Sequence, residues 1–311
     1  MLVKFAVKSE GASHTEKGLP CQDAARACVG NNATIGIACV ADGHGSTEER
    51  IQVVVPQAQF GIACVADGHG GSKYFRSAKG SELAIQIAEK ALMGLWGTMA
   101  ALFMQRSRSE DEKNNVVCEK LKELEANIIY NWRKAVEQDM GDNPFTQKEI
   151  EHCKKNNIAL GNDPQKLMFV YGTTLLAGLV SDSFWFAIQI GDGLCVVLED
   201  EENITTPIAE DERLAFGATT SLCDSDALGN FREDYGFTRI KGLTVATDGV
   251  TDSFMPEKYL EFNKGLCDRF TGASADASEE ERKLQEFLPG LSERGSRDDV
   301  SMAGIFRMRE R

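Results

Sequence analysis

The sequence predicts an α+β domain in which antiparallel sheets are covered by helices. Short apolar, strand-like runs occur in both halves of the 311 residues. Stretches with helical periodicity follow them in groups instead of alternating with them one by one. No linker divides the chain, so residues 1–311 read as a single domain.

Val3-Lys4-Phe5-Ala6-Val7 alternates as an opening strand. The segment Gly-Ile-Ala-Cys-Val-Ala-Asp-Gly-His-Gly then occurs at 36–45 and again at 61–70. Ten identical residues mark a duplication, but two copies are too few for a solenoid or propeller. Both apolar runs read as buried strands. After Gly70-Gly71, Leu83, Ile87, Ala91 and Leu95 recur every four residues on one helical face. Glu119–Met140 is a second amphipathic helix, with Leu121, Leu124, Ile128, Trp132 and Ala135 on its apolar side. Ser107–Asn115 and Gly141–Asp163 are polar and read as surface excursions. Gly172–Val180, Phe184–Ile190 and Leu194–Leu198 are strand-like, with Gly191-Asp192-Gly193 as a tight turn between the last two. A polar loop runs through Asn230. Leu243–Ala246 is another strand, Pro256–Phe270 and Ser278–Leu288 are helical, and Val300–Phe306 is a closing strand.

The composition is that of a soluble globular protein, 42% hydrophobic and 26% charged. A net charge of −14 argues against nucleic acid or an anionic membrane as partner. The nine cysteines are scattered without a C-x-x-C pair, which fits reduced thiols in the cytoplasm and not a zinc site or disulfide framework. Lys4, Lys8 and Glu10 interrupt any signal-like apolar run. The longest nearly uncharged stretch, Ala91–Met104, has about 14 residues against the roughly 20 of a membrane span, and reads as a buried helix.

The chemistry sits at strand ends. Three strand-like runs end in Asp-Gly: at Asp67 (or its copy Asp42), Asp192 and Asp248. Arg297-Asp298-Asp299 precedes the closing strand, and Cys21-Gln22-Asp23 precedes the first duplicated one. Clustered carboxylates suit Mg²⁺ or Mn²⁺, hard ions that take oxygen ligands. Two such ions ~4 Å apart can bind a phosphate and activate a water. Each residue also has a plainer reading. Asp-Gly is a common hairpin turn, which leaves Asp192 ambiguous. Asp252 reads as the N-cap of the next helix. His14 and His152 read as surface or packing histidines.

In order, Gln-Asp-Ala, Ala-Asp-Gly-His-Gly-Gly, Tyr-Gly-Thr-Thr, Ile-Gly-Asp-Gly, Ala-Thr-Asp-Gly and Asp-Asp-Val-Ser resemble the motif series of the metal-dependent protein phosphatase 2C family. The resemblance runs from Gly11 to Phe306, and Pro20-Cys21-Gln22-Asp23-Ala24 is most similar to a divergent bacterial branch. It implies a four-layer α/β-β/α sandwich of two antiparallel sheets flanked by helices, with metals in a cleft at one end. Asp67 would bridge two ions, and the Gly68 carbonyl would bind one of them. Asp248 and Asp298 would complete the first metal, and Asp23 would stand beside the second through water. Asp192 would match the acidic residue of a weaker third site, and His69 would be the general acid. Tyr171–Thr174 would be a packing strand. The commoner pattern has an Arg and an acidic residue where this chain has Gly18 and Gln22. The phosphate-clamping guanidinium is therefore missing, with Lys17 or His14 as substitutes.

The interval from Asp23 to Asp42 is one hairpin long and favours the first copy. Local context favours the second, because Gly70-Gly71 leads into a helix whereas Glu48 and Glu49 crowd the first. An insert of this length costs only about 1 kcal/mol in closure entropy, so context decides for Asp67 and His69. The expected function is hydrolysis of phosphoserine or phosphothreonine on a protein by a monomeric enzyme using Mn²⁺ or Mg²⁺. The alternatives are a non-catalytic phosphatase-like signalling module and a phosphatase acting on small phosphomonoesters.

Overall fold

A computed structural model of the chain describes residues 1–31, 35–38, 51–54, 59–104, 109–161, 163–200, 203–211, 213–214, 219–272 and 276–308, with backbone only at 31, 35–38, 51–54 and 101–104. Two five-stranded antiparallel sheets lie face to face. One has β1 (Leu2–Ser9), β12 (Val300–Arg307), β11 (Gly242–Ala246), β8 (Leu194–Leu198) and β9 (Ile204–Thr205) in that order. The other has β10 (Arg232–Gly236), β7 (Trp185–Ile190), β6 (Leu175–Ser181), β5 (Gln59–Ala66) and β2 (Ala24–Asn31). A separate pair joins β3 (Ile35–Ala38) to β4 (Ile51–Val54).

Alternation along the strands explains the layering. Ala63 and Val65 of β5 point at the facing sheet, where Leu243, Val245, Ala303 and Ile305 meet them. Ile62 and Cys64 point outward, to a core shared with α2 (Ser77–Met104) and α3 (Glu110–Asp142). Phe5, Val7, Met302 and Phe306 likewise pack under α8 (Pro256–Thr271) and α9 (Ala277–Arg294). Strands buried on both faces read as continuous apolar runs, which is why they were visible in the sequence. The short helices are α1 (Ala12–Lys17), α4 (Gln147–Lys155), α5 (Pro164–Leu167), α6 (Ala227–Asn230) and α7 (Asp248–Thr251). Among the described residues, no helix is long and apolar enough to cross a membrane.

Several expectations change. Gly191-Asp192-Gly193 is not a hairpin turn, because β7 and β8 belong to different sheets and the triplet carries the chain between them. The fully buried stripe of α2 is Ala84, Ala88, Leu92, Trp96 and Met99, one position on from the predicted one, whose residues pack at its flank. Both supposed excursions contain helix. Ser109 caps α3 and Thr146 caps α4, each in a capping box with the Glu three residues on. The polar loop before Asn230 holds β9 and α6, and the edge strand β10 follows it. Met168–Tyr171 is a 3₁₀ turn and β6 begins only at Leu175, so Tyr171–Thr174 is not a strand. Asp252 follows α7 as its C-cap, while Met255 is the N-cap of α8; Asp252 therefore caps no following helix. Of the first copy, Gly36–Ala38 lies in β3, and the remainder, with Asp42 and His44, lies outside the described residues.

Candidate metal and catalytic site

The register fixes which strand ends meet. Ala24 pairs with Ala66, Leu175 with Ile190, and Ala246 with both Leu194 and Met302. The chain therefore leaves β5 at Asp67, β7 at Asp192 and β11 at Asp248 on one end of the sandwich. It enters β2 from Asp23 and β12 from Asp298-Asp299 at that same end. Side-chain oxygens of Asp67, Asp192 and Asp248 all lie within 4.8 Å of one another.

Asp23 is buried, and its Oδ2 accepts from Thr247 Oγ1 at 2.8 Å. Its Oδ1 is buried too and receives no hydrogen bond from a described donor. Loss of water raises the Asp23 carboxyl to about 7; Asp67 and Thr247 oppose that rise, while Asp299 and Asp248 add to it. Asp67 is held well above the carboxylate range by burial and then by Asp23, Asp248 and Asp298. Asp248 rises to about 6 through burial, then Asp192 and Asp298. Crowded carboxylates with raised affinity for protons are a cation-binding arrangement. Asp252 also rises, through lost solvation and then Asp192 and Asp298. It belongs to the site's electrostatics, which its reading as a helix cap had hidden. Asp298 stands at the margin with 58% of its side chain exposed.

Backbone bonds hold the Asp67 turn. Thr173 Oγ1 and the Thr174 N–H both donate to the Asp67 carbonyl, at 2.8 and 2.9 Å, and the Asp67 N–H donates to Thr174 Oγ1. Gly68 forms a bridge with Thr173, and a Cβ there would lie 2.5 Å from the Gln22 carbonyl. A Cβ on Gly249 would run into the Asp299 carbonyl. Asp299 is a pin: its carboxylate accepts from the Gly11 and Gln22 N–H groups at 2.7 and 2.5 Å. It ties the N-terminal turn to the site, a role its motif did not reveal.

His69 is buried, its backbone N–H donates to the Gly172 carbonyl at 3.0 Å, and its ring packs 5.0 Å from the Tyr74 ring. Burial, and then Lys73, lower its imidazole to about 4. His14 Nδ1 lies 3.0 Å from Asp299 and its Nε2 lies 4.0 Å from Asp298, whereas Lys17 is exposed at the end of α1. Gly18, where the commoner pattern has Arg, ends α1 at φ 63°, a left-handed cap that suits glycine. His152 Nε2 is 2.8 Å from the Ser72 carbonyl and fastens α4 to the segment after His69.

A family model described as protein phosphatase 2C matches residues 10–50 and 48–289. Each piece contains one copy of the repeat, and Asp298 lies beyond the matched part. No curated protein matches the chain. Two solved structures are similar to it over 99% of this chain and 99% of theirs, each with a TM-score of 0.50. One is the catalytic domain of the serine threonine protein phosphatase PstP in complex with two manganese ions, at 17% identity. The other is the Mycobacterium tuberculosis serine/threonine phosphatase PstP/Ppp, at 16%. Identities this low carry the fold alone. The two-sheet sandwich agrees with a family match that extends over most of the sequence, and this chain belongs to the protein phosphatase 2C family.

Proposed function

We propose that the chain is a metal-dependent serine/threonine protein phosphatase whose site uses the second copy of the repeat. The observation that carries this is the convergence of Asp67, Asp192 and Asp248, with the orphaned Asp23 Oδ1 beside them. An oxygen-only donor set of this kind fits Mn²⁺ or Mg²⁺. Asp67, the Gly68 carbonyl, Asp248 and Asp298 would hold the first ion, with Asp67 shared by a second ion next to Asp23. Asp192, with Asp252 near it, would serve a weaker third. Ions bound there supply Lewis acidity and a water acidic enough to be a nucleophile at neutral pH.

The chain's own residues do the rest. Thr173 and Thr174 hold the Asp67 turn rigid, and Asp299 holds the Gln22 backbone that Gly68 packs against. His69 is neutral near pH 7 in the free protein. A phosphomonoester dianion seated beside it favours the imidazolium, which can then protonate the leaving alkoxide. A monomer in the cytoplasm, acting on phosphoproteins and not on nucleic acid or membranes, completes the proposal. The eight described cysteines, all free thiols, support that compartment.

One observation favours a non-catalytic binding module: Gly18 offers no side chain to clamp phosphate. Phosphatase assay during Mn²⁺ or Mg²⁺ titration separates the readings. The enzyme is expected to hydrolyse a phosphothreonine peptide only with added metal. Activity that survives complete chelation, or that thiol alkylation abolishes without unfolding, overturns the metal-dependent mechanism. Binding of the peptide without turnover at any metal concentration selects the module.

A further inference from the structure

With a net charge of −14, most of this surface repels an acidic substrate. A groove of about 640 Å³ lies between α3 and α6. Ile129, Tyr130, Met168 and Leu228 give it apolar walls, and Arg133 and Lys134 line it with positive charge against Glu137. Tyr130 and Leu228 are 57% and 46% exposed, large apolar side chains open to solvent.

Both walls are continuous with the candidate site. Met168 begins the 3₁₀ turn that leads to Gly172, whose carbonyl accepts the His69 N–H. Cys223, on the other wall, follows Ser221 and Leu222. Ser221 Oγ and the Leu222 N–H both donate to the Thr173 carbonyl at 3.0 Å, and Thr173 bridges to Gly68. Lys73 stands at the junction. Its ammonium lies 4.6 Å from the centre of the Tyr74 ring, which packs on His69. Tyr74 chiefly, and Cys223 and Asp224 less, raise the affinity of that ammonium for its proton. Arg133 reaches the same place, donating to the Asp224 carbonyl at 2.6 Å. The Asp224 carboxylate accepts from the Ser221 N–H at 2.8 Å and offsets part of the positive charge of Arg133 and Lys73.

We infer that this groove receives the polypeptide flanking the phosphorylated residue, and that Lys73, Arg133 and Lys134 select segments carrying acidic side chains. The inference rests on the phosphatase reading above and adds the class of substrate. A substrate with its phosphoresidue at His69 would reach the groove past Tyr74 and Lys73. Apolar side chains flanking the phosphoresidue would cover Tyr130 and Leu228, while acidic ones would meet the three cations.

The test uses the full chain with Mn²⁺ and three probes: an Asp-rich phosphothreonine peptide, its Lys-rich counterpart, and p-nitrophenyl phosphate, which has no flanks. The acidic peptide is expected to show the lowest KM. Lys134→Met combined with Lys73→Met should lower the preference for that peptide over its Lys-rich counterpart about 3- to 10-fold; the two peptides share a leaving group, so any effect of Lys73 on His69 cancels in the ratio. Lys→Arg at both positions should restore it. Equal KM values for the two peptides, or a double variant that leaves the preference unchanged, overturn the inference. If no probe is hydrolysed, the phosphatase reading fails, and fluorescence anisotropy of the labelled acidic peptide on the metal-free protein decides the groove alone. Salt-sensitive binding lost in the double variant upholds it; binding indifferent to the variant overturns it.

Discussion

A carboxylate stripped of water and faced by others must find a proton or a cation, and that rule separates the aspartates. Asp248 is nearly buried and crowded, so its charge is a liability until a metal arrives. Asp248→Asn should therefore cost about 10²-fold or more in metal-dependent turnover while raising the thermal midpoint of the chelated protein at pH 7.5. Asp298, more than half exposed, should lose comparable activity as Asn with little change in that midpoint. Asp252→Asn, expected to be mild had the residue been a cap, should instead raise the metal concentration for half-activity a few-fold. Metal titrations and scanning calorimetry of the three variants check this; a lowered midpoint for Asp248→Asn would show that its charge is not repelled. Asp67, Asp192 and Asp248 were legible because Asp-Gly follows each apolar run. Asp299 and Asp252 were not, since a pin and a neighbour differ from a ligand and a cap only by where the folded chain puts them.

At the scale of elements, the repeat is a question of register. Asn31 pairs with Gln59, Gly30 with Phe60 and Val29 with Gly61. Removing residues 36–60 puts Thr34 in the place of Gln59 and Ile35 in that of Phe60. Asn32-Ala33 is left as a two-residue hairpin loop, a length that β-hairpins favour. The apolar face is kept, at a cost of about 1–2 kcal/mol for losing the Phe60 ring from its contact with Trp96, 5.3 Å away. The shortened protein should fold, keep its activity and remain sensitive to His69→Ala by about 10²-fold. In the full chain His44→Ala should do little. Inactivity of the shortened protein with a native circular dichroism spectrum would move the site to the first copy. Helices were legible by periodicity, but only approximately, because Leu83 and Ala84 are neighbours on a cylinder and packing chose between their faces. The caps at Ser109 and Thr146 are written in the sequence as S/T-x-x-E, but the polarity of their first turns masks them.

Across the molecule, the same crowding makes stability depend on pH. Asp23 near 7, Asp248 near 6 and the raised Asp67 all bind protons more tightly folded than unfolded, where an Asp titrates near ~3.9. Their contribution is complete below about 4 and lost as pH rises through 6 to 7. His69, lowered to about 4, acts in the opposite sense up to the unfolded value of ~6.5. Above that value only the raised carboxyls still act, so the thermal midpoint of chelated protein should fall between pH 6.5 and 8. Glu125 on α3, raised to about 7 chiefly by burial, adds the same sign, and Glu125→Gln removes its share. Saturating Mn²⁺ should reverse the residual slope, because deprotonated ligands bind the ion. A flat or rising midpoint in the chelated Glu125→Gln protein would contradict the crowding.

Because burial on two faces and Asp-Gly exits are local patterns, the sequence by itself determined the apolar strands β1, β5–β8, β11 and β12, the grouped helices and the carboxylates at the strand ends, but not β2, β4, β9 or β10. Only the tertiary structure decided that β7 and β8 lie in opposite sheets, which turns Asp192 from a hairpin residue into a companion of Asp67 and Asp248. It also decided that Asp299 pins the N-terminal turn, that Gly18 is a helix cap, and that the walls of the α3–α6 groove run back to His69. Each of these depends on which distant segments meet, and short-range periodicity carries no record of long-range pairing.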